Sequence, residues 1–600
     1  MKVFCFLILC FYLTPTALIG QKEDHQWIFN WWSRDDCSQF DYSEYCNASI
    51  LDFNVDPPVF IRAEEATLDM DFTHAAICNE QGELILYSNG MSIHGSDHKP
   101  ILNGDTISFG PLWANNTWLN EDDEVRTQGF LGIDCASFVP VPDHPELFHL
   151  IYYNFDHLFE DGTFDKLYAT IDVTNGQPRV VSKDIILKEK IREPGHTSCA
   201  QHANGRDWWL LQFSNDTLFT YLIEPSGINL ERVSTLPFSI RRGQTAVSFD
   251  DKAERYAAFQ FVQSNVEDGA ELLLFDFDRC TGELTNPLIE SLPSFNQIGV
   301  HGIVFSASGQ YLYINDHITC LQYDTWANDI FSTQDTVMTY DGSAFYEPTM
   351  NLLKPTYFGR MRKGPDNKIY ISLVGQGYHL HTIHQPNMPA AFCKPEQNAI
   401  RMPTYTVGSL PTHNTLRLGP IDGSSCDTLG IDNNPVSRFR QVQDTLDHLA
   451  IDFVDLSYYE PNRWEWDFGD GNTSIERFPS HRYVSNDAYR VCLTVSNDNS
   501  ADVSCDTLFL GVSSLDETSE PRNISLFPNP VEDVTRVAFH DYLPSAARIT
   551  FYDTAGSLVL QDQLRALSNL VDLSGLQIGV YVYEVWDGEQ RLISGKVIRI

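Results

Sequence analysis

Residues 364–372 read GPDNKIYIS, a polar turn followed by a short strand of alternating apolar residues. The same pattern recurs in CNEQGELILYSNG from Cys78, VPDHPELFHLIYYNF from Val141, HANGRDWWLLQF from His202, SFDDKAERYAAFQF from Ser248 and SASGQYLYI from Ser306. Asp, Asn and Gly supply the turns, and Tyr, Leu and Ile supply half-buried strands. A repeat of about 50 residues in an all-β chain predicts a β-propeller with one blade per repeat.

Six repeats, with one more blade formed by the two termini of this region, predict about seven blades over residues 25–425. Two polar stretches predict linkers, DGSSCDTLGIDNNPV at 422–436 and SSLDETSEPRN at 513–523. They separate the propeller from a second domain at 437–513 and a third at 523–600. The predicted fold class is therefore all-β throughout.

The chain is acidic, with a formal net charge of −41 over 600 residues. That length exceeds what one hydrophobic core supports, in agreement with several domains. The charge argues against nucleic acid as a partner and against an anionic membrane surface, because little basic surface is left to neutralise phosphates. An acidic surface of this kind mainly keeps a secreted protein soluble.

The first 20 residues, MKVFCFLILCFYLTPTALIG, have one Lys, an apolar run and then small residues. This pattern predicts a signal peptide, residues 1–20, that is cleaved after Gly20 to leave Gln21 at the N-terminus. No later apolar stretch reaches about 18 residues, so we expect no transmembrane segment.

The sequence has 13 cysteines, two of them, Cys5 and Cys10, in the signal peptide. An odd number remains, so at least one thiol is unpaired or intermolecular in an oxidising compartment. The spacings match no metal site. The most plausible local disulfides are Cys37–Cys46 and Cys492–Cys505.

Several propeller segments resemble a family of propellers found in secreted Bacteroidetes proteins. They are WIFNWW, AAICNEQGELILYSNGMSIHG, LYATIDVTNG, HANGRDWWLLQF, GPDNKIYISLVGQGYHLHTIHQPNMP and GSLPTHN, spread over residues 27–420. Family members read closer to FGN at the first segment and LPNF at the last, and this chain departs from both. The resemblance implies a fold and an extracellular location, and the family has no well-defined activity.

The segment WEWDFGDGNTS at 464–474, followed by HRY and AYRVCLTVSN, resembles a PKD domain, an immunoglobulin-like β-sandwich. Alternation places Trp466 and Phe468 inward, and Tyr483 and Tyr489 are further core candidates. The tight hairpin lies at Gly469, Asp470 and Gly471. The motif residues are Trp466, Asp467, Phe468, Gly469, Asp470 and Gly471.

The C-terminal sequence contains ISLFPNPVEDVTRVAF, ARITFYDTAGSLVL and LSGLQIGVYVYEVWDGEQRLISGKVIRI. It resembles the C-terminal sorting domain of the type IX secretion system, which implies the secretion machinery as partner and a secreted or surface-attached protein. Asp587-Gly588 predicts a hairpin turn between two of its strands. The matching positions are Pro528, Asn529, Pro530, Gly556, Gly579, Tyr581, Gly595 and Lys596.

Common catalytic motifs, including HExxH, GxSxG, GxxxxGK[ST] and the sialidase turn, are missing from the sequence. His379, His381 and His384 are the best metal candidates, but the first two point to one strand face and the third to the other, which favours structural histidines. We expect no cofactor. Calcium at Asp467 and Asp470 is the alternative, although one hairpin supplies few oxygens and favours turn stabilisation.

Paired acids and paired tryptophans offer weaker candidates for chemistry. The acidic pairs Asp250/Asp251, Asp122/Asp123 and Glu64/Glu65 favour solvated surface, because adjacent residues do not converge across a cleft. Trp31/Trp32 and Trp208/Trp209 fit either a sugar-stacking platform or core packing. Core packing is favoured, with one ring of each pair inside and one outside.

Two hypotheses for function follow. The first is a secreted or cell-surface binding or adhesion protein, with the propeller recognising a glycan or protein and the PKD-like domain acting as spacer; on this hypothesis the protein is not an enzyme. The alternative is a secreted hydrolase or lyase acting on polysaccharide or protein in the propeller funnel. Three or more converging acids or histidines there would favour the enzyme, and an apolar or aromatic funnel would favour binding.

Overall fold

The structure is a computed structural model with two compact units, Met1–Leu508 and Phe509–Ile600, and each unit is described by itself. Strands dominate both units. The predicted signal peptide and the Cys37–Cys46 pair lie outside the described residues. The structure describes residues 22–600 except 31–47, 64, 71, 116, 120–124, 128, 130–133, 160, 193–196, 239–245, 263–268, 293–301, 348–351, 413, 415–416, 444–446, 511–523, 528–530, 532–533, 540–546, 554–556, 566–567, 578, 589 and 600.

Seven antiparallel sheets form the blades of a propeller in the described part of the first unit. Blade 1 contains β1 (Gln26–Phe29), β2 (Ala48–Asp52) and β3 (Val59–Ala63); blade 2 contains β4 (Ala75–Cys78), β5 (Leu84–Ser88) and β6 (Ile93–Gly95). The connection to blade 3 carries α1 (Pro111–Asn115), β7 (Thr117–Leu119) and β8 (Val125–Thr127).

Blades 3 to 7 each have four strands in chain order from the inside outward. Blade 3 contains β9 (Ser137–Val141), β10 (His144–Asn154), β11 (Phe164–Asp172) and β12 (Arg179–Ile191); blade 4 contains β13 (Ser198–Gln201), β14 (Trp208–Ser214), β15 (Thr217–Glu224) and β16 (Gly227–Thr235). Blade 5 contains β17 (Ala246–Phe249), β18 (Arg255–Val262), β19 (Gly269–Asp278) and β20 (Glu283–Leu292); blade 6 contains β21 (Gly302–Phe305), β22 (Tyr311–Asn315), β23 (Thr319–Asp324) and β24 (Asp335–Thr339). A hairpin of β25 (Ala344–Glu347) and β26 (Leu352–Pro355) precedes blade 7, which contains β27 (Phe358–Lys363), β28 (Ile369–Leu373), β29 (Gln376–Ile383) and β30 (Pro395–Val407). Short 3-10 helices cover Asp156–Phe159, Thr174–Gly176 and Phe331–Thr333.

Apolar clusters fill the junctions between neighbouring blades and close the ring. Both faces of a blade are therefore buried, and all five residues of β22 are buried. The sequence predicted half-buried strands, but inner propeller strands pack against a neighbour on each side and carry apolar residues on both faces. Buried pairs across successive junctions are Ile28 and Tyr87, Ile77 and Phe138, Val139 and Leu210, Trp209 and Tyr256, Phe259 and Ile314, Tyr313 and Ile371, and Tyr370 and Trp27.

The six turns that carried the sequence repeat occupy one position in the fold. Each joins the first and second strands of a blade, from blade 2 to blade 7. Gly82, Gly309 and Asn367 have the positive φ that such tight turns require. Because all six turns end an innermost strand, they lie on one face of the ring, here called the turn face. The predicted all-β architecture with about seven blades is confirmed.

Residues from both ends of the propeller region meet at blade 1. After β30 the chain runs along the inner side of the ring, where Leu410 packs in the cluster of Trp27 and Phe29. Thr412 forms a parallel bridge with Ala75 of β4. The other edge of β4 pairs with β5, so this bridge lies on the channel side. The described residues of segment 408–418, here called the closing segment, therefore run along the channel, and Thr412, Asn414 and Arg417 line it.

The PKD-like region is a two-sheet sandwich whose core surrounds Trp466. The Trp466 ring lies 5.2 Å from that of Phe439 and 5.4 Å from that of Phe453, and its Nε1 donates to the Glu476 carbonyl at 2.9 Å. Tyr483 is fully buried and donates to the Phe468 carbonyl at 3.0 Å. One sheet contains β31 (Phe439–Gln443), β32 (Ala450–Asp455) and β35 (Ser480–Arg482); the other contains β33 (Arg463–Asp467), β34 (Thr473–Ser474), β36 (Ala488–Ser496) and β37 (Ala501–Phe509).

The second unit is a smaller sandwich with its own core, including Ile549, Phe551 and Val585. Gly588, with φ of 58°, forms the predicted hairpin turn between its last two strands. One sheet contains β38 (Ile524–Phe527), β39 (Val534–Phe539) and β42 (Ser568–Asp572); the other contains β40 (Ala547–Tyr552), β41 (Leu558–Gln563), β43 (Gly579–Asp587) and β44 (Gln590–Arg599). No helix among the described residues of either unit has the length and apolar character needed to cross a membrane.

Candidate functional site: the joint between propeller and sandwich

The propeller channel opens at the turn face into a chamber of about 240 Å³, and the PKD-like sandwich forms part of the chamber wall. The propeller contributes charged side chains from its inner strands and turns, and the sandwich contributes residues at the ends of its strands. The charged lining residues are Asp24, Asp134, Asp251, Lys252, Arg362, Lys363, Arg417, Asp455, Glu460 and Arg477. Acids and bases are thus present in equal number, although the chain as a whole is strongly acidic.

Asp134 is a buried acid that the propeller contributes to the channel wall. It lies just before β9, its side chain is 2% exposed, and its Oδ2 is 2.6 Å from Nη2 of Arg362 and 3.6 Å from Nη1 of Arg360. Its Oδ1 accepts a hydrogen bond from Thr412 of the closing segment at 3.2 Å. Burial lowers the pKa of Arg360 to about 10, against the opposing attraction of Asp134.

Lys363 ends the innermost strand of blade 7 and pairs with Asp251 in the turn of blade 5. Burial, with a smaller contribution from the nearby positive charge of Arg417, lowers the pKa of Lys363 to about 7. This pair joins two blades across the channel. It was missed from the sequence, because nothing in the spacing of residues 251 and 363 indicates contact.

The neighbouring Asp250 also differs from expectation. The sequence favoured solvated surface for Asp250/Asp251, but Asp250 is 5% exposed and its Oδ1 accepts from the amides of Glu254 and Arg255 at 2.8 and 2.9 Å. Burial raises its pKa to about 6. The carboxylate holds its own turn closed, as Asp commonly does in turns.

The N-terminal segment before β1 joins the closing segment and the sandwich at the chamber edge. Arg417 donates to Asp24 at 2.8 Å. Arg438 of the sandwich donates to Nε2 of His25 and to the Tyr458 hydroxyl, both at 2.6 Å. This ion pair and these hydrogen bonds join the N-terminal segment to the closing segment and to the sandwich. They therefore fix the position of the sandwich on the ring.

The turn of blade 7 supplies the opposite side of the joint. Asn367 donates through Nδ2 to the Asp455 carbonyl at 3.1 Å, and Arg440 donates to the Asp366 carbonyl at 2.8 Å. The Asp455 carboxylate accepts from Trp464 at 3.0 Å and from Arg477 at 2.9 Å. The sequence motif of the blade turn, GPDNK, thus also builds the interface with the sandwich.

Arg279, which follows β19 in blade 5, connects three parts of the first unit. Its side chain is 1% exposed and lies 3.3 Å from Glu460 of the sandwich. It also donates to the Gln201 carbonyl of blade 4 at 3.1 Å and to the Gly419 carbonyl beyond the closing segment at 2.5 Å. Burial raises the pKa of Glu460, and the Arg279 charge opposes that rise.

The segment 422–436, predicted as a linker, is fastened to both neighbours. Cys426 forms a disulfide with Cys280, the residue after Arg279. The Asn433 carbonyl accepts from Asn497 of the sandwich at 2.6 Å, and the Asn433 amide donates to Asp422 at 3.1 Å. The sequence did not pair Cys280 with Cys426, because they are 146 residues apart.

The other described cysteines form a disulfide or lie in the core, and the acidic residues of the PKD motif bond within the sandwich. Cys492 and Cys505, predicted as a pair, form a disulfide within the sandwich. Asp467 accepts from the Gly469 amide at 2.9 Å, and Asp470 lies 2.8 Å from Nε2 of His481. Cys78, Cys199, Cys320 and Cys393 are buried free thiols, and Cys135 is also buried.

The metal candidates do not converge. His381 is fully buried and accepts from the Asn398 amide at 3.0 Å, whereas His384 lies 2.9 Å from Glu396. Burial lowers the pKa of His379 and of His381 to about 4. Within the described residues, no three His, Cys, Asp or Glu side chains are grouped to hold a metal ion.

The tryptophan candidates are core residues where they are described. Trp208 and Trp209 are 5% and 4% exposed, on the two opposite junctions of blade 4. Core packing is confirmed, but the expectation of one ring outside is wrong, because a propeller blade buries both faces. Trp31, Trp32, Asp122, Asp123 and Glu64 lie outside the described residues.

Part of the sorting motif is visible in the second unit. Gly595 on β44 faces Tyr583, and a Cβ there would lie 2.7 Å from the Tyr583 hydroxyl. The Tyr581 hydroxyl donates to the Gln577 carbonyl at 2.7 Å, just before Gly579. Pro528, Asn529, Pro530 and Gly556 fall outside the described residues, as does the Lys596 side chain.

Comparison with protein families identifies two domains. The PKD domain model matches residues 438–512, and the secretion system C-terminal sorting domain model matches residues 525–599. The protein is therefore exported by the type IX secretion system, with that machinery as a partner, and is secreted or surface-attached. No curated protein matches the chain.

Solved structures with similarity include the PKD1 domain of the metalloprotease PrtV from Vibrio cholerae, at 30% identity over 13% of this chain and 96% of that one, with a TM-score of 0.12. A proposed 6-phosphogluconolactonase from Bacteroides uniformis matches at 10% identity over 64% of this chain and 100% of that one, with a TM-score of 0.35. Regucalcin, a calcium-binding protein from Agrobacterium tumefaciens, matches at 13% identity over 51% and 83%, with a TM-score of 0.25. The TM-scores of all three are below 0.5.

Proposed function

We propose that this protein is an extracellular binding or adhesion protein, in which the propeller recognises a glycan or protein and the PKD domain braces the ring. The export route places the chain where such ligands occur. The joint described above gives the sandwich more than a spacing role, because it contacts blade turns, the N-terminal segment and the closing segment.

The observation that carries this proposal is that the carboxylates lining the chamber are paired with cations. Asp134, Asp251 and Asp24 each pair with a propeller cation, and Asp455 and Glu460 pair with Arg477 and Arg279. A glycoside hydrolase that works with paired carboxyl groups needs both of them within reach of its substrate. These carboxylates instead hold the blades, the closing segment and the sandwich together, which supports a structural role for the chamber and a binding site elsewhere on the surface.

The test combines binding with turnover. The purified full-length chain is applied to arrays of glycans and extracellular proteins, and the retained ligands are then incubated with the chain at high concentration. We expect retention without release of reducing sugar or peptide. Release of product by the chain would contradict the proposal, as would retention of no ligand.

A secreted hydrolase or lyase is the second candidate, because five carboxylates do line the chamber. Glu460 is the strongest acid candidate, since burial raises its pKa and so favours the protonated form. If product release is found, Glu460→Gln should abolish it. Glu465→Gln, at an exposed position of the same domain, is the matched control.

A further inference from the structure

Three large apolar side chains are exposed on the turn face, at blades 6 and 7. Trp326 and Phe392 are each 63% exposed, and Met388 is 43% exposed. Trp326 follows the third strand of blade 6, and the other two follow the third strand of blade 7. Exposed rings of this size on adjacent loops mark interaction sites more often than chance surface.

The backbone that carries Trp326 is held rigidly. Its amide donates to Oδ1 of Asp324 at 3.0 Å. The preceding Thr325 donates through Oγ1 to the Gly309 carbonyl at 2.8 Å, and its carbonyl accepts from Arg255 of blade 5. An exposed ring on a fixed backbone loses little conformational freedom when a ligand covers it.

The loop that carries Phe392 is fixed in a similar way. The Phe392 amide donates to the Pro389 carbonyl at 2.7 Å, and the next residue, Cys393, is fully buried in the cluster between blades 6 and 7. The Met388 carbonyl accepts from Gln322 of blade 6 at 2.9 Å. The loop of blade 7 is thereby bound to blade 6.

Both loops are hydrogen-bonded to the same turn of blade 6. Asn387 accepts from the Ser308 amide at 2.9 Å, while Thr325 bonds the carbonyls of Gly309 and Gln310. The exposed side chains therefore flank the turn at 306–310 from its two sides. The half-buried side chains of Asn387 and Gln310 belong to the blade 7 loop and to this turn.

We propose that Trp326 and Phe392 form a stacking platform for the sugar rings of a neutral polysaccharide; this inference rests on the proposed binding function. Separate exposed rings on loops that also carry polar side chains suit a pyranose chain, which offers apolar ring faces and hydroxyl edges together. The net charge of −41 disfavours acidic polymers. Three side chains are too few for a stable protein interface, which needs about 800 Å² per partner.

The experiment compares full-length variants by affinity electrophoresis in gels containing starch, xylan, soluble β-1,3-glucan or the acidic polymer alginate. We expect retardation by at least one neutral polysaccharide and not by alginate. Trp326→Ala and Phe392→Ala should each weaken it about tenfold. Phe109→Ala is the matched control, since Phe109 is 66% exposed on the connection between blades 2 and 3. Because all three positions are exposed, the melting temperature should stay the same.

Three results would overturn the platform. They are no retardation of the wild type by any neutral polysaccharide, unchanged retardation of both alanine variants, and a wild-type dimer in solution that Trp326→Ala dissociates. If the wild type binds a protein on the arrays but no polysaccharide, the platform is wrong and the binding function stands. If it binds nothing on either test, both fall.

Discussion

Arg279 contacts three parts of the first unit: the propeller, the residue that follows the closing segment, and the sandwich. Its guanidinium has a partner in each of them: the Gln201 carbonyl, the Gly419 carbonyl and the Glu460 carboxylate. A planar donor group with five N–H bonds suits this position in a way that an ammonium group does not. Loss of the side chain leaves the partly buried Glu460 carboxylate without its cation.

We expect Arg279→Met to destabilise the first unit by about 3–5 kcal/mol, the usual cost of breaking a buried ion pair. Urea unfolding monitored by tryptophan fluorescence measures it. Arg463→Met is the control, because Arg463 is 60% exposed and pairs with the exposed Asp498. A surface pair contributes about 0–1 kcal/mol, so similar losses in both variants would contradict the role assigned to Arg279.

Glu23 makes stability depend on pH. It is 3% exposed, and neither carboxylate oxygen has a hydrogen-bond partner among the described residues. Burial raises its pKa from 4.5 to about 8. Between these values the folded state keeps a proton that the unfolded state has released, so the contribution of Glu23 to stability falls as pH rises from about 4.5 to about 8.

Glu23→Gln removes this titration. The variant should therefore gain stability relative to the wild type between pH 5 and pH 8.5, and the difference should stay constant above that range. Urea unfolding at several pH values measures the difference. Parallel curves for the two proteins would show that Glu23 is not buried as described.

At the scale of the elements, a disulfide attaches the predicted linker, residues 422–436, to the propeller. The Cys280–Cys426 bond closes a loop with a sequence separation of 146 residues, and a crosslink over a loop of that size removes much conformational entropy from the unfolded chain. It also fixes segment 422–436 next to Arg279. The linker should therefore resist proteases more than its polar sequence indicates.

We expect a Cys280→Ser/Cys426→Ser double variant to be cut within 427–436 several times faster than the wild type, since local opening controls cleavage. Cys492→Ser/Cys505→Ser is the control, because that disulfide lies inside the sandwich with a sequence separation of 13. Time courses of limited proteolysis with mass mapping provide the measurement. Equal cleavage rates for the three proteins would count against a fastened linker.

The elements differ in how far the sequence predicts them. The blade turns follow from Asp, Asn and Gly at fixed places before alternating strands, and the sandwich core follows from Trp466 and Phe468 in WEWDFGDG. These signals are local. The pairs Lys363–Asp251 and Arg279–Glu460 join residues more than 100 positions apart, so only the closed ring brings them together.

At the scale of the whole molecule, the second unit is a compact domain with its own core. We expect deletion of residues 523–600 to stop export to the surface and to leave the first unit folded. Fractionation of cells carrying the type IX secretion system measures the location. The far-UV circular dichroism and melting of the truncated protein measure its fold.

The reciprocal experiment tests sufficiency. Residues 513–600 fused behind a signal peptide and a fluorescent reporter should carry the reporter to the surface or the medium. Accumulation of the fusion in the periplasm alone would show that this region is not a sorting signal. Gly595→Val in the fusion should reduce export, because the added side chain meets Tyr583.

The closing segment also affects when the propeller can finish folding as the chain is made. Trp27 and Phe29 are made early, yet their partner Leu410 is made nearly four hundred residues later. Until blade 7 is made, the earlier blades form an open arc whose two end blades each lack a neighbour, and the ring closes only when Tyr370 of blade 7 and then Leu410 pack against Trp27. Folding therefore finishes late and depends on a long-range contact, which is slow to form. We expect a chain that ends before residue 358 to remain an open arc that aggregates or is degraded.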